Sequence, residues 1–201
     1  VVDTDFFAPM SAQEARQELG LPRDTPIALF LSSAGIDDPR KGWDLLEAGL
    51  PAVVASYPNL QVVIVGPIPP PDRRVQVETA VGARVHWMGI AQSSAELRNL
   101  YNSANVVVVP SRDDNMPLTA MEAQSCGRPV AGFAVGGLPD AVLDPKAGAL
   151  APSGDVAVLS RSIKFCLEHE TAPTTRENAV KTWSKPVVVQ EFVDLYRQKL
   201  A

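Results

Sequence analysis

Six short runs of apolar residues, rich in Val and Ile, alternate along the chain with segments of helical periodicity. Runs this short and this continuously apolar are typical of strands that are covered on both faces. They lie at residues 26–33, 60–66, 84–89, 104–110, 128–133 and 147–152. A repeated strand, helix, strand order favours right-handed crossovers. The pattern therefore predicts an α/β fold, a Rossmann-like doubly wound parallel sheet of about six strands with helices on both faces.

Helical periodicity fills the segments between these runs. Apolar residues at helical spacing predict a helix over residues 41–57, which Pro51 should kink or interrupt because proline lacks a backbone N–H. A serine followed three residues later by glutamate forms a capping box, which marks the start of a helix. Two such boxes place helix starts at Ser11 and at Ser93, the latter for a helix over residues 93–103.

After residue 153 only helical patterns remain, over about 155–169, 174–183 and 186–200. We expect residues 1–201 to form a single domain in which residues 154–201 close one side of the sheet. The last pattern would also suit an amphipathic helix on a membrane surface. We instead expect its apolar residues to dock on the domain, namely Val188, Phe192, Leu195 and Tyr196.

The composition excludes several classes of protein. The 201 residues are 46% hydrophobic, which suffices for one substantial core, and the net charge of −5 with scattered basic residues argues against a nucleic-acid surface. No apolar run reaches the roughly 18 to 20 residues that span a bilayer. Cys126 and Cys166 lack metal-ligand spacing, so they predict two core residues in a reducing compartment rather than a disulfide.

The chain also lacks the signals of a metal site and of secretion. Two scattered histidines and no Asp-x-Asp triplet leave no metal site in the usual ligand spacing. The first residues, "VVDTDFFAPM", contain no secretion signal and no initiator methionine, which indicates a segment of a longer protein. We expect a cytoplasmic location, with peripheral association of the full-length protein with the membrane.

The loop after the first strand carries Arg40, Lys41 and Gly42, and ligands of open α/β sheets bind at such carboxyl ends of strands. The loop has neither the Gly-x-Gly-x-x-Gly fingerprint nor the Gly-Lys-Ser/Thr phosphate loop, which removes the main support for binding of NAD or ATP. Cations at the start of a helix oppose its macrodipole, so they indicate a site for an anion. A solvated Arg-Lys pair in a surface loop is the alternative.

The loop after the fourth strand leads into a helix within "PSRDDNMPLTAMEAQSCGRPV", residues 110–130. Pro117 suits the first turn of this helix, and either Asp114 or Asn115 can cap its free N–H groups. That capping is a sufficient structural reason for a carboxylate at position 114. A ligand contact is the functional alternative.

Glu122 is harder to explain as a structural residue. Its neighbours one turn away are Leu118 and Cys126, on the stripe that we expect to face the sheet. A buried carboxylate without partners costs several kcal/mol, so Glu122 requires either protein N–H groups or the hydroxyls of a ligand. The next loop contains Gly136 and Gly137, which either let the backbone approach a ligand or simply form a turn.

In this order the residues resemble the carboxyl-terminal domain of retaining, GT-B-fold glycosyltransferases of family 4, the glycosyl transferases group 1. The segment "VVDTDFFAP" is similar to the entry into that domain, "PRKGWDLLEAGL" to its Lys-Gly helix start and "LQVVIVG" to its second strand. The segment "PSRDDNMPLTAMEAQSCGRPVAGFAVGGLPD" is similar to its paired-carboxylate motif and Gly-Gly loop. The most similar pattern belongs to a subgroup from bacterial polysaccharide synthesis.

The resemblance implies catalytic roles for Lys41, Asp114 and Glu122. Lys41 would hold the donor diphosphate, Glu122 the ribose hydroxyls and Asp114 the transferred sugar. Residues that would bind the donor around them are Arg40, Gly42, Asn115, Met116, Pro117, Leu118 and Gly89. Of these, residues 115–118 would act through backbone N–H groups near the sugar and phosphate. Gly89 belongs to the stretch from Trp87 to Ile90, which would meet the base through backbone contacts.

The implied function is transfer of a sugar from a nucleotide diphosphate sugar to a glycan or to a lipid-linked or small-molecule acceptor. The resemblance implies no cofactor, no metal and no protein nucleophile. It also implies a separate amino-terminal acceptor domain, without which this chain would be inactive. Two departures bear on the site: Ser32 to Gly35 replaces a common Gly-Arg, which leaves Arg40 as the substitute cation, and Asp114 replaces the usual Glu.

Two other functions remain open at the level of the sequence. One is another GT-B enzyme, either a sugar-nucleotide epimerase or a phosphorylase, although no lysine stands in the context expected for pyridoxal phosphate. The other is a non-catalytic module that binds nucleotides or a partner protein. Loss of Lys41 and Glu122 would favour such a module, and both residues are present.

Overall fold

The computed structural model describes residues 1–142, 144–169 and 173–200, and its centre is one sheet of six parallel strands. The strand order is β3-β2-β1-β4-β5-β6. The strands are β1 (Ile27–Leu31), β2 (Gln61–Val65), β3 (Arg84–Gly89), β4 (Val106–Val109), β5 (Val130–Phe133) and β6 (Gly148–Ala151). All six lie within the runs predicted from the sequence, and the parallel sheet is confirmed.

Helices connect the strands and complete the carboxyl-terminal part. A 3₁₀ turn occupies Pro39–Lys41. The helices are α1 (Ala12–Leu19), α2 (Trp43–Val54), α3 (Pro71–Val81), α4 (Ser94–Ser103), α5 (Leu118–Ser125), α6 (Leu138–Ala141), α7 (Val156–Glu168), α8 (Pro173–Trp183) and α9 (Lys185–Leu200). The three predicted carboxyl-terminal helices are therefore present as α7, α8 and α9. The expectation that they close one side of the sheet is wrong, because α7 packs on one face and α8 on the other.

Alternating side chains of the strands build two cores, one on each face of the sheet. Ile27 and Leu29 of β1 contribute to a core shared with α4, α5 and α8. Ala28 and Phe30 of the same strand point the other way, into a core shared with α2, α3 and α7. Both faces are covered, which is why the strand sequences are continuously apolar. The doubly wound arrangement is thus confirmed.

The capping boxes and the cysteines follow the prediction. The Ser93 hydroxyl accepts the Glu96 N–H at 3.1 Å, and the Ser11 hydroxyl accepts the Glu14 N–H at 3.3 Å. Cys126 and Cys166 are buried and unpaired.

The expectation about Pro51 in α2 is wrong in part, and the expectation about α9 is wrong. Helix α2 runs through Pro51 without the interruption that we considered, and the alternative of a kink stays a prediction. Helix α9 does not dock through its apolar side chains: Phe192, Leu195 and Tyr196 are 56%, 48% and 64% exposed. The reason is that α9 packs chiefly on α8, so these three side chains join neither core of the described residues. None of the helices in the described residues is long and apolar enough to cross a bilayer.

The strand order reverses between β1 and β4, which are direct neighbours although two strands separate them along the chain. At such a switch point the loops after the two strands diverge to opposite faces and leave a crevice at the carboxyl edge. The loop after β1 carries Lys41, and the loop after β4 carries Asp114. The fold therefore brings together the two loops that the sequence singled out.

Candidate functional site

The loops after β1 and β4 are in direct backbone contact at Gly42. This glycine has φ of 67°, and a Cβ added there would lie 2.0 Å from the carbonyl oxygen of Pro110. No other residue fits, because both the conformation and the space require the absence of a side chain. Gly42, predicted to bind the donor, thus has a structural role, because it lets Lys41 lie against the end of β4.

Arg112, in the loop after β4, joins the same two loops through hydrogen bonds. Its backbone N–H donates to the Arg40 carbonyl at 2.8 Å, and its guanidinium donates to the Pro39 carbonyl at 2.8 Å. The guanidinium also donates to both carboxylate oxygens of Asp44, at 2.7 and 2.6 Å, in the bidentate geometry that arginine favours. These hydrogen bonds hold the pKa of Asp44 below its ordinary value. The turn that carries Lys41 is fixed to the β4 loop.

Lys41 and Asp114 form an ion pair between the two loops. The Lys41 ammonium donates to Oδ2 of Asp114 at 2.8 Å. The neighbouring Arg40 is engaged elsewhere, because its guanidinium pairs with Asp38 at 2.8 Å on the surface and the Asp38 hydrogen bond raises the pKa of Arg40. Arg40, Asp113 and Asn115 complete a polar rim around the pair. Lys41 is the cation placed toward the crevice.

The Gly136–Gly137 pair supports the Asp114 loop from below. Cβ atoms added at Gly136 and Gly137 would lie 1.8 Å from the carbonyl oxygen of Asp114 and 2.0 Å from that of Asn115. The Gly137 N–H donates to the Asp114 carbonyl at 3.1 Å. The close approach that we considered for a ligand is therefore an approach to another loop. The absence of side chains at these glycines therefore lets residues 113–117 pack directly against the loop after β5.

The amino terminus of α5 opens toward the site without a side-chain cap. Pro117 occupies the N-cap position, and no capping hydrogen bond from a side chain of the described residues reaches this end. The prediction that Asp114 or Asn115 caps the helix is wrong, because Asp114 is turned toward Lys41. Leu118 and Thr119, in the first turn, line the crevice. Free N–H groups at a helix start attract anions, as does the positive end of the macrodipole.

Glu122 lies one turn further along α5, and one group among the described residues donates to its side chain. The Tyr101 hydroxyl donates to Oε2 of Glu122 at 2.7 Å. Burial raises the pKa of Glu122, and the Tyr101 hydrogen bond partly opposes that rise. This partner is a protein hydroxyl, so it differs from both alternatives considered from the sequence, protein N–H groups and the hydroxyls of a ligand. The stripe that we expected to face the sheet is interrupted, because Leu118 is 54% exposed at the site end whereas Cys126 is buried.

Lys41 and Glu122 line one cleft of about 340 Å³ at the carboxyl edge of the sheet. Asp114 borders it through its ion pair with Lys41. The structure therefore brings together the three residues to which the resemblance gives catalytic roles, and those roles stay a prediction. The floor and walls are formed by the strand ends and by α4 and α5, with lining residues that include Ser32, Ser33, Gly66, Ile90, Ala91 and Tyr101.

The end of β3 reaches the cleft through Ile90 and Ala91, which both line it. The Trp87 side chain packs with the core on the other face, where its indole N–H donates to Glu78 at 3.2 Å, because alternate residues of a strand face opposite sides of the sheet. The backbone contact of this stretch with a base stays a prediction. Gly89 sits at the strand end with φ of 72°, and its carbonyl accepts the Gly66 N–H at 2.8 Å.

Three residues of the site escaped the sequence interpretation. Tyr101 lies in an apolar pattern of α4 and is typical of a core residue, and Arg112 has the pattern of a surface charge. Ser32 was noted only as a departure, yet its buried hydroxyl lines the cleft and has no partner within the described part of the chain. Only the spatial neighbourhood of β1, β4 and α4 reveals these three.

A larger cleft of about 500 Å³ lies at the amino ends of the strands, bordered by Asn105 before β4 and Arg128 before β5. It contains none of the predicted residues. Ligands of open α/β sheets bind at the carboxyl ends, so the cleft of Lys41 and Glu122 is the candidate site. Across the described ranges, no group of three or more His, Cys, Asp or Glu is placed to hold a metal ion. Metal-independent binding stays a prediction.

Comparisons with known proteins agree with this fold and with the motif order. D-inositol 3-phosphate glycosyltransferase of Mycolicibacterium smegmatis is 37% identical over 185 residues, which are 89% of this chain and 41% of that protein. The chain thus spans less than half of this relative. Sucrose-phosphate synthase of Thermosynechococcus elongatus superposes with a TM-score of 0.80 at 31% identity, over 99% of this chain and 51% of that one.

A third similarity concerns the fold alone. Anabaena HepE, solved in complex with UDP and glucose, has a TM-score of 0.77 at 19% identity, over 98% of this chain and 55% of that one. The family model described as glycosyl transferases group 1 matches residues 25–169, from the start of β1 to the end of α7. That match includes all six strands and every residue of the candidate site, and it shows that the chain belongs to the glycosyl transferases group 1.

Proposed function

We propose that this chain is the donor-binding domain of a retaining glycosyltransferase of family 4 and that its cleft holds a nucleotide diphosphate sugar. One observation carries the proposal: Lys41, Glu122 and the uncapped start of α5 face a single cleft at the switch point of the sheet. This combination provides a cation, a carboxylate and free backbone donors within one site. A nucleotide diphosphate sugar can use all three.

Each feature of the cleft suits one part of the donor. The Lys41 ammonium and the N–H groups at the start of α5 suit the diphosphate, because fixed positive charge stabilises phosphate oxygens. The half-buried Glu122 carboxylate suits the vicinal hydroxyls of a ribose, which donate hydrogen bonds. Asp114, beside Lys41, suits the hydroxyls of the transferred sugar. Ile90 and Ala91 provide an apolar edge for the base.

The same residues supply what the departing nucleotide needs in the transfer step. In our proposal the acceptor oxygen bonds to the anomeric carbon on the face where the bond between that carbon and the diphosphate oxygen breaks, so the configuration is retained. The proton of the acceptor hydroxyl passes to the departing phosphate oxygen. Negative charge then grows on the diphosphate, and Lys41 together with the α5 amide groups is placed to stabilise it. No protein nucleophile takes part, and no bridging metal is required to balance the phosphates.

The acceptor side belongs, in this proposal, to another part of the protein. The chain corresponds to 41% of one relative and 51% of the sucrose-phosphate synthase chain, so those proteins contain more than this fold. Helix α9 carries an exposed apolar stripe that a second domain would cover, formed by Val189, Phe192, Leu195 and Tyr196. Without that domain the acceptor has no position and water has free access, so the isolated chain binds a donor weakly and transfers nothing.

A binding screen tests the donor site directly. We expect one or more of UDP-, GDP- and ADP-sugars to raise the unfolding temperature of the chain in the presence of EDTA, and calorimetry to give the affinity. Lys41→Ala and Glu122→Gln should each reduce that affinity, whereas Lys181→Ala, at an exposed residue of α8, should not. Binding that ignores Lys41 and Glu122, or that requires added Mg²⁺ or Mn²⁺, would contradict the proposal.

The transfer reaction requires a protein that contains the chain together with its acceptor domain. Such a protein, incubated with the best donor and a range of acceptors, should release nucleotide at a rate that depends on Glu122. The anomeric proton of the product, observed by NMR, should show the configuration of the donor. Inversion would refute the retaining mechanism, and turnover by the isolated chain would refute its dependence on a second domain.

A further inference from the structure

The hydroxyl of Tyr101 is the single protein partner that the structure gives to the Glu122 side chain within the described residues. The ring of Tyr101 is 1% exposed and packs edge-on against Phe7, at 6.0 Å between ring centroids. It belongs to the rigid core between α4 and the sheet. Tyr101 and Glu122 both line the cleft, and the Tyr101 hydroxyl is the atom that contacts Glu122.

We propose that Tyr101 is a positioning residue for ribose recognition, because its hydroxyl holds Oε2 of Glu122 and leaves Oε1 directed at the ligand. This inference rests on the proposed function. It gives Tyr101 a role in selecting ribonucleotides over deoxyribonucleotides, through Glu122 rather than through a contact of its own. Tyr101 is therefore a positioning residue and not a catalytic one.

The physical reason is the freedom of a glutamate side chain. Glutamate has several rotatable bonds, and its terminal torsion is broad, so an unheld carboxylate samples many orientations. A hydrogen bond from a buried ring fixes one oxygen at a known place. Two adjacent ribose hydroxyls can then be met by Oε1 and by the remaining lone pair of Oε2. Recognition of hydroxyls by a prearranged acceptor is sharper than recognition by a mobile one.

The same hydrogen bond favours the ionised form of Glu122. Burial raises the pKa of Glu122, and the Tyr101 hydrogen bond lowers it again. Tyr101 itself stays a donor, because burial and the adjacent Glu122 charge raise its pKa well above the ordinary value. Removal of the hydroxyl alone should therefore do two things: loosen the carboxylate and bring its protonation to a higher pH.

Tyr101→Phe tests the inference, with Tyr57→Phe as the matched control. Tyr57 also has a glutamate beside it, Glu168, but lies outside the cleft. The probes are UDP, GDP and ADP with their 2′,3′-dideoxy counterparts, measured by calorimetry between about pH 5 and pH 8. The parent should prefer the ribonucleotide, and Tyr101→Phe should weaken its binding about fivefold to tenfold, the scale of one hydrogen bond. Binding of the dideoxy compound should not change.

The pH profile separates positioning from a general packing defect. In Tyr101→Phe the loss of ribonucleotide binding on acidification should begin at a higher pH than in the parent and in Tyr57→Phe. A merely structural role of Tyr101 would weaken both probes alike and leave the profile in place. That result, or a Tyr101→Phe variant indistinguishable from Tyr57→Phe, would overturn the inference.

A second variant keeps the test decisive if Tyr101→Phe does not fold. Replacement of Tyr101 by 3-fluorotyrosine retains the ring and strengthens the O–H donor, so the acidic loss of binding should move to lower pH. An unchanged profile would overturn the inference. Glu122→Gln separates failure of the proposed function from failure of the inference about Tyr101. If the parent prefers the ribonucleotide and Glu122→Gln loses that preference, the proposed function stands whatever the Tyr101 variants show. If the parent shows no ribose preference and Glu122→Gln changes nothing, the proposed function fails, and the inference fails with it.

Discussion

The ammonium of Lys41 lies 2.8 Å from Oδ2 of Asp114, so the two charges that the sequence assigned to different parts of a donor are paired with each other. The pair joins the loop after β1 to the loop after β4, across the switch point of the sheet. It fixes the Lys41 ammonium at the cleft when no ligand is bound. A diphosphate must therefore share or displace Asp114 when it reaches Lys41.

This competition makes opposite predictions for the two partners. Lys41→Ala should weaken binding of a nucleoside diphosphate by roughly 1.5 to 3 kcal/mol, the scale of a charge-assisted hydrogen bond. Asp114→Asn should strengthen it, because the competing carboxylate and its repulsion of the phosphates are removed. Calorimetry on both variants and on the double variant measures the coupling. Equal affinity for Lys41→Ala and the parent, or weaker diphosphate binding by Asp114→Asn, would contradict this view of the pair.

Arg112 should affect donor binding although it points away from the cleft. Arg112→Ala releases the Pro39 carbonyl and Asp44, which loosens the turn that carries Lys41. We expect a loss of affinity of about threefold to tenfold with little change in unfolding temperature, because exposed ion pairs stabilise the fold by at most about 1 kcal/mol. Arg112→Lys should behave alike, since lysine cannot form the bidentate contact.

Arg197→Ala is the matched control for this prediction. Arg197 also pairs with an aspartate, Asp194, but on the exposed surface of α9. Its loss should leave donor affinity unchanged. If Arg112→Ala binds the donor as tightly as Arg197→Ala does, the hydrogen bonds of Arg112 to Pro39 and Asp44 have no part in arranging the site.

Gly137→Ala should displace the Asp114 loop without straining its own backbone. Gly137 has φ of −88°, which alanine adopts freely, but the new methyl group would lie 2.0 Å from the Asn115 carbonyl oxygen. We expect residues 113–117 to shift and donor binding to fall by about tenfold or more, because a small misplacement of the groups that hold a ligand is costly. Fluorescence or calorimetric titration measures the decrease in affinity, and circular dichroism checks the fold.

Gly82→Ala separates this steric effect from ordinary glycine strain. Gly82 has φ of 69° with open space around it, so alanine there costs roughly 1 kcal/mol of conformational strain and meets nothing. It should lower the unfolding temperature but leave donor affinity intact. Normal donor binding by Gly137→Ala would show that the Gly-Gly loop does not support the site.

The sheet and the meeting of Lys41, Asp114 and Glu122 could be predicted from the sequence for a physical reason. Strands covered on both faces are continuously apolar, and the carboxyl ends of parallel strands share one edge. The charged residues that follow such runs must therefore lie near one another once the strand order is right. That inference needs no knowledge of individual contacts.

The contacts themselves could not be predicted, because they depend on elements far apart in sequence. Tyr101 and Glu122 belong to different helices, and Arg112 and Asp44 lie 68 residues apart. By its spacing from α5, Asp114 could cap that helix as well as contact a ligand. Its ion pair with Lys41, a residue of another loop, is what turns it away from the helix start. Phe192 of α9 shows the converse, a contact that was predicted but is not present. Its helical spacing is typical of a docked helix, yet no core of the described residues faces it.

Glu122 should lower the stability of the unliganded fold at neutral pH. Burial raises its folded pKa above the ordinary value of 4.5, so the ionised carboxylate destabilises the folded state. As the pH falls through the raised folded pKa toward the unfolded value, the folded state takes up the proton first and gains stability relative to the unfolded chain. Glu122→Gln removes the ionisable group and retains an acceptor for the Tyr101 hydroxyl.

Glu122→Gln should therefore unfold at a higher temperature than the parent at pH 7.5, by about 2 to 4 °C for each kcal/mol of burial cost removed. The difference should shrink as the pH approaches 4.5, because the raised pKa lets the folded parent protonate this carboxyl progressively. Glu177→Gln, at an exposed glutamate paired with Lys181, is the control. Thermal unfolding of the three proteins between pH 4.5 and 7.5 tests this prediction. It would be contradicted by a difference in unfolding temperature that does not depend on pH, or by a parent that is more stable than Glu122→Gln at pH 7.5. Either result would mean that the unliganded cleft holds the Glu122 charge without cost, so that no ligand hydroxyls are needed to explain it.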